Sequence, residues 1–412
     1  MGYRVEVFDK DLRRVGEIDE WISLDFTVKL RQEGSWQILI KDGTTQSDLI
    51  EKGGGIAIWQ EGVTRPILSG QVDTFQKYWT KVQHTGPGSL YIAGKCHNTL
   101  AYRRLAFPDP TKPVNQQYLS RLARRMVYEP TVGNAIYKEL LSCLGAGALP
   151  DRRIGNVILN DASVGSGRRF GAVLQWDVVG EVLEQWGEKR SAAHRFIYNP
   201  ETQRIDVEIF APRDRSKEVR FSPELGNLRE YIWTLSAPKV TRAIIGCAGE
   251  QQGRYVSQTI DKESEAEWGL SIEQFVDRRD IALKADRESG QPVRAEASMT
   301  AEDYESALAT LKEAATDALR EGERNGNFQI YPIDTEFCQF GRDYFVGDKV
   351  TVAVDGTEYS DIVREVVISV DDAGNTNDVA PKIGQQGTGE PLNLYKVVYE
   401  MQRKLRRLEA RM

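Results

Sequence analysis

Cysteine is scarce. The 412-residue sequence holds four, at positions 96, 143, 247 and 338, too far apart for a CxxC pair or any other metal-ligand spacing. They are expected as reduced, mostly buried thiols of a protein made in a cytoplasm. Histidine is scarcer, at 84, 97 and 194 only, and no HExxH, GxSxG or P-loop stretch occurs. The usual signatures of zinc hydrolases, serine hydrolases and nucleotide hydrolases are therefore missing. No apolar run approaches the roughly 18 residues of a transmembrane helix, so no stable membrane insertion is expected. The start, MGYRVEVFDK, has neither the basic nor the apolar region of a signal peptide. Glu6 stands where a myristoylation signal requires Ser or Thr. Positive charge is also short: 54 Lys and Arg face 61 Asp and Glu, for a net charge of −7. A protein that grips nucleic acid over a broad surface is usually basic, so tight DNA binding is not expected, although DNA passing nearby is compatible with this balance.

What is present is a long series of short alternating segments. The length favours two to four domains. Residues 1–105 read as a first β-barrel domain, with strands at YRVEVFD, FTVKL, SWQILI, GIAIWQ, ILSGQVDTF and SLYIAGKC punctuated by Gly or Asp. FPDPTKPVN marks a boundary, and 106–217 reads as an α+β domain. Its expected helices are QQYLSRLARRMVYE, VGNAIYKELLSCLG and the amphipathic GAVLQWDVVGEVLEQWGEKR, followed by a hairpin in HRFIYNPETQRIDVEIF. Residues 218–260 return to strands, assigned to a second barrel. Residues 261–324 read as a mainly helical insertion, with a helix around 271–282 and a strong one over 301–322. Residues 325–385 complete the second barrel, and 386–412 form a linker and a heptad helix. In that last segment Leu394, Val398, Met401, Leu405, Leu408 and Met412 are spaced 4, 3, 4, 3, 4, an a/d seam suited to oligomerisation. About three heptads make a weak coil unless the rest of an assembly supports it. The expected class is α+β, mainly β: a multidomain chain with two related small barrels, helical insertions and a short C-terminal coiled coil.

Two stretches far apart carry the same pattern. KGGGIAIWQEG begins at Lys52 and VGDKVTVAVDG at Val346. Laid over one another without gaps, Gly53 falls on Gly347, Ile56 and Ile58 on Val350 and Val352, and Gly62 on Gly356; beyond the turn Leu68 falls on Ile362 and Val72 on Val366. Either two unrelated hairpins share a periodicity, or the chain carries one small β-domain twice. In the second case a trimer would place six similar domains around a ring, a sixfold object with threefold symmetry.

The sequence resembles the siphophage tail-tip or baseplate hub proteins, the minor tail proteins of phages of Gram-positive bacteria. The resemblance rests on the order of VEVFDKDLRRVGEIDEWISL with GSWQILI, then KCHNTLAYRRLAFPDP, then VRFSPELGNLREYIWTLSAPKVTRAIIGCAGE, then FGRDYFVGDKVTV with IVREVVISV. It implies a homotrimeric structural virion protein, with no catalytic, metal or cofactor site, at the distal tip of a long non-contractile tail. The implied partners are tail-tube, tape-measure and receptor-binding proteins, with phage DNA passing through the channel unbound. Some relatives continue into a fibre or a cell-wall hydrolase, and this chain stops inside a heptad at Met412.

Each stretch that could carry chemistry also has a blander account. Cys96 and His97 are neighbours, but adjacent residues on a strand face opposite ways. VGSGRRFG has Phe170 where the last Gly of GxGxxG belongs. DDAGNTND lacks the order of an EF-hand. Arg103, Arg104, Arg121, Arg124 and Arg125 suit a solvated helix face as well as a docking surface. Asp277 and Asp280 are the nearest carboxylate pair for a tail-associated hydrolase. The 8 Trp and 16 Tyr would serve a carbohydrate-binding adhesin, the other alternative, only if they stood outside cores.

Overall fold

The computed structural model describes residues 2–80, 88–117, 124–159, 170–249, 253–322, 325–332, 335, 338–374 and 376–384. It forms two compact units. One spans Met1–Ile232 and Phe328–Gly384; the other, among the described residues, spans Trp233–Asn327.

The first unit opens with β1 (Tyr3–Phe8), β2 (Arg14–Ile18), β3 (Ser23–Lys29), β4 (Ser35–Lys41), β5 (Gly55–Gln60), β6 (Leu68–Gln71), β7 (Thr74–Tyr78) and β8 (Ser89–Lys95). One sheet has the order β2-β1-β5-β6, while β3, β4, β8 and β7 lie side by side in another. The period-two pattern is literal in β4, where Trp36, Ile38 and Ile40 are buried and Ser35, Gln37 and Lys41 lie on the other face. Full burial of Ile38, Ile40, Ile56, Ile58 and Ile92 stabilises this part by about 2 kcal/mol per side chain.

Next come α1 (Thr99–Tyr102), β9 (Arg125–Glu129), α2 (Val132–Cys143), β10 (Val157–Leu159), β11 (Phe170–Leu174), α3 (Val179–Arg190), β12 (Ala193–Asn199) and β13 (Arg204–Phe210). The Thr131 hydroxyl caps α2 by accepting from the Asn134 N–H at 3.2 Å. α2 and α3 bury Ile136, Leu140, Leu183 and Trp186 with Phe196 and Val207 in a second core. Two expected helices are corrected here. In QQYLSRLARRMVYE, Arg125–Glu129 is a strand, antiparallel to β11; residues 118–123 lie outside the described set. In GAVLQWDVVGEVLEQWGEKR the first five residues belong mostly to β11, and the helix begins only at Val179. Trp176 takes a left-handed backbone, φ 60°, and the Asp177 carboxylate accepts from the Gln175 N–H at 2.6 Å. That turn ends the strand and prevents helix from extending back.

After β14 (Arg220–Phe221) and β15 (Leu228–Ser236), the second unit contains β16 (Arg242–Gly246), β17 (Val256–Ile260), α4 (Lys262–Trp268), β18 (Glu273–Asp277), β19 (Leu283–Ala285), β20 (Pro292–Arg294) and α5 (Ala301–Glu321). α5 carries a complete capping box, Thr300 with Asp303, and packs Leu311, Ala314, Ala315 and Ala318 in one cluster with Ala243 and Ile245 of β16. The helix expected around 271–282 is instead β18, parallel to β16; the helical turns lie earlier, in α4, capped by Asp261. β16 and β17, expected among second-barrel strands, form a separate sheet of order β17-β16-β18.

The chain returns to the first unit through β21 (Asn325–Pro332), β22 (Lys349–Val354), β23 (Thr357–Val370) and β24 (Thr376–Gly384). These join a 10-stranded sheet whose main order is β15-β21-β24-β23-β3-β4-β8-β7, with β22 and β14 branching from β23. The protein is mainly β, as expected. Among the described residues its sheets are open, and none closes into a barrel.

Candidate assembly site

The main sheet order reads as the same four-strand module written twice. Four strands, β3-β4-β8-β7, follow another four, β15-β21-β24-β23. Chain order agrees position by position: two strands, then a hairpin strand (β5 or β22), then a long run that crosses from one sheet to the other (β6 with β7, or β23), then a closing strand (β8 or β24). The crossing is irregular in both. β6 and β7 are broken at Val72 and Asp73, and β23 shifts register between Val363 and Glu365.

The hairpin residues occupy matching places. Gly53 and Gly347 have φ of 83° and 96°, and Gly62 and Gly356 have 84° and 73°, conformations that cost a side-chain-bearing residue about 1 kcal/mol or more. Ile56, Ile58, Val350 and Val352 are fully buried and share one core with Phe26, Trp36, Phe221 and Ile368. The overlay ends at the turn. Ile56 faces Gly70, but Val350 faces Asp361 rather than Arg364. The second hairpin closes through the two residues Asp355 and Gly356, both at positive φ, while the first uses a longer loop. The modules also differ at their starts: β1 pairs antiparallel with β5, and β14 pairs parallel with β22.

The second module has an anchor that the first lacks. Buried Asp348 accepts from Arg213 Nε at 2.8 Å and Nη2 at 2.7 Å, and from the Phe345 N–H at 2.9 Å. These bonds hold the Arg213 guanidinium above its usual pKa. Asp348→Ala is expected to cost about 2 kcal/mol in urea unfolding, with Asp348→Asn retaining part of it, because the Phe345 amide loses its acceptor. Equal midpoints for the alanine variant and wild type would remove the anchor.

The two modules meet where β23 pairs antiparallel with β3, Ile368 opposite Phe26 and Val370 opposite Leu24, all four buried. The opposite face is polar. Tyr91 donates to Gln37 at 2.9 Å, Gln37 to Asp25 at 3.2 Å, and Ser369 to Asp25, a row that runs from β8 through β4 and β3 onto β23. Lys382 pairs with Glu365 beside it at 2.5 Å. The seam is therefore continuous in backbone, core and surface.

The residues considered for catalysis are otherwise engaged. Cys96 Sγ accepts from the Gly34 N–H at 3.0 Å, and burial pushes the thiol up to about 11. His97 Nδ1 lies 2.9 Å from Ser69 Oγ, and burial holds the imidazole down at about 3. Both stay neutral near pH 7, so they do not form an ion-pair nucleophile. Asp277 is bound to Arg254 and Arg279, and Asp280 to Arg278, which uses up the carboxylate pair. Of the arginines, Arg103 pairs with Asp73, Arg125 with Glu139, and Arg104 donates to two backbone carbonyls, while Arg121 lies outside the described residues. Phe170 and Gly171 belong to β11, and the remainder of VGSGRRFG lies outside the described residues. In DDAGNTND residues 371–374 follow β23, with the Asp371 side chain accepting from the Ala373 N–H at 3.0 Å, and residues 376–378 belong to β24. No group of three or more potential metal ligands occurs among the described residues. All four cysteines are free and buried. The heptad residues Leu394, Val398, Met401, Leu405, Leu408 and Met412 lie outside the described residues.

Among the described residues the site is a sheet module written twice over a buried core. Residues 4–385 match the family model of the Siphovirus ReqiPepy6 Gp37-like proteins, and the chain belongs to that family. No curated protein matches the sequence. The fold is shared with a 43 kDa tail protein of prophage MuSo2 from Shewanella oneidensis, at TM-score 0.53 and 11% identity over 92% of this chain and 98% of that one. A tail protein of Neisseria meningitidis MC58 gives 0.54 and 13% over 94% and 98%. The prophage tail protein gp18 of Listeria monocytogenes EGD-e gives 0.53 and 8% over 97% and 99%.

Proposed function

We propose that the chain is a structural, non-enzymatic virion protein that forms a homotrimeric hub at the distal tip of a long non-contractile phage tail. The observation that carries this reading is the strand order written twice in one sheet. Three such chains supply six similar modules, which matches a sixfold tube above to threefold parts below. In this reading each module is one small barrel-like domain of the ring. The polar face on which exposed Gln37 bonds half-buried Asp25 suits the wall of a channel through which DNA and tape-measure protein slide without specific binding. Tail-tube proteins bind one side of the ring and receptor-binding proteins the other.

The C-terminal heptad seam holds the three chains in this reading. Leu405→Asp or Leu408→Asp is expected to shift mass in light scattering from trimer towards monomer while leaving the β-rich circular dichroism unchanged. Unchanged trimer mass would take the coil out of the assembly. The reading as a whole is tested by particle imaging of the purified protein and of tails. A threefold ring with a central hole supports it. Absence of the chain from the tail tip sinks it.

A further inference from the structure

We infer that the first unit binds a buried cluster of ordered water beside His194, in an internal cavity where the waters serve both nitrogens of the imidazole. The cavity measures about 40 Å³. It lies where three parts of the unit meet. Leu30 follows β3, Leu68 lies in β6, Phe210 ends β13 and Val346 precedes β22, and all four contribute apolar wall. A water needs about 10–15 Å³ of such space, so the cavity has room for about three.

His194 is the reason for a polar occupant. It is 1% exposed, lines the cavity, and has no hydrogen-bond partner at either ring nitrogen among the described residues. Buried polar groups are nearly always bonded to protein or to ordered water, because an unmade bond leaves their desolvation uncompensated. The Phe196 ring stands nearly perpendicular at a centroid distance of 6.3 Å, too far for its face to accept an N–H. The other polar groups on the wall are engaged elsewhere. Asn98 donates to the Gln32 carbonyl at 2.8 Å and accepts from the Phe196 N–H at 2.9 Å. Ser69 accepts from the Tyr198 N–H, and Cys96 from the Gly34 N–H. Arg31, also buried on the wall, gives its Nε to the Ala192 carbonyl at 2.5 Å and makes no other side-chain hydrogen bond among the described residues, so its terminal nitrogens are further donors to water. Donor and acceptor counting identifies the ligand. A neutral imidazole presents one N–H donor and one acceptor nitrogen. Water answers both. A metal ion would take only the acceptor, and no group of three or more potential metal ligands occurs among the described residues. An anion would take only the donor, and an apolar guest neither.

The water site does not depend on how many copies assemble. It is tested on the full chain by a high-resolution crystal structure at pH 7, well above the value of about 4 to which burial holds His194, with a second crystal kept under xenon pressure. The expected result is a water within hydrogen-bond distance of each His194 ring nitrogen and no xenon in the cavity, since dry apolar cavities take up xenon and hydrated polar ones do not. His194→Gln keeps a donor and an acceptor and should retain the waters, whereas His194→Leu should lose them. In solution, nitrogen-15 spectra of histidine-labelled protein should show the acceptor nitrogen of His194 shifted to its hydrogen-bonded position, the signal being assigned by its loss in His194→Gln. If a variant misfolds, the two wild-type crystals decide alone. Xenon in the wild-type cavity overturns the inference, as does a ring nitrogen with no water beside it. A metal ion or halide found at His194 by anomalous scattering overturns it too.

Discussion

Between pH 7 and pH 5 the first unit is expected to lose about 4 kcal/mol of stability through two histidines. His97 and His194 are 0% and 1% exposed, and burial depresses their imidazoles to about 3 and about 4, with Arg31 adding to the effect at His194. Their unfolded value is about 6.5, so between that pH and the folded values the unfolded chain binds more protons. Stability is then complete above about pH 6.5 and falls by about 1.4 kcal/mol per pH unit for each histidine as pH drops towards the folded values. The Ser69 hydroxyl accepts from the Tyr198 N–H at 2.8 Å and lies 2.9 Å from His97 Nδ1, a neutral contact that does nothing to favour the imidazolium. Glu139 acts with the opposite sign, because burial raises its carboxyl and acid relieves it. The variant His194→Phe isolates the histidine part. Its urea-unfolding free energy should change with pH by about 2 kcal/mol less than wild type over this range. Identical pH slopes for the two proteins would sink the account.

Gly94→Ala is expected to cost about 3 kcal/mol or more. A methyl group there would lie 2.0 Å from the Gln71 carbonyl oxygen and 2.9 Å from the Trp36 ring. Gln71 sits where β6 gives way to β7, so the strand crosses from one sheet to the other directly over Gly94, and the backbone oxygen has nowhere to go. Gly62→Ala is the control. Gly62 has φ 84° but nothing within 4 Å of the added atom, so only backbone strain of about 1 kcal/mol applies. Urea midpoints of the two variants should differ clearly, and a Gly94→Ala protein as stable as Gly62→Ala would show that the crossing is loosely packed.

The hairpin echo was legible because it is local. Alternation in GIAIWQ and KVTVAV, and glycines at matching positive-φ places, follow from period two and steric freedom alone. The continuation past the turn was not, because a two-residue turn and a longer loop give different pairings from nearly the same letters. β18 offers no alternation because its residues are largely exposed; what makes it a strand is parallel pairing with distant β16. β9 failed for the same reason, its partner β11 lying across a long stretch of sequence. The β3–β23 seam joins residues near opposite ends of the chain, and no local pattern announces it. The alternation of the two hairpins is thus readable locally, while the pairing between distant strands is not.

The second unit enters and leaves the sheet between β15 and β21, which are neighbours in the strand order. Thermodynamically it is then a loop, and the entropy of closing a loop grows only logarithmically with its length, by about 0.6 kcal/mol for each doubling. On that arithmetic, changing the length of what hangs there is expected to cost little while the strand order stays the same. Diversity among such proteins would accumulate at this one splice point, leaving the module itself as the inherited part.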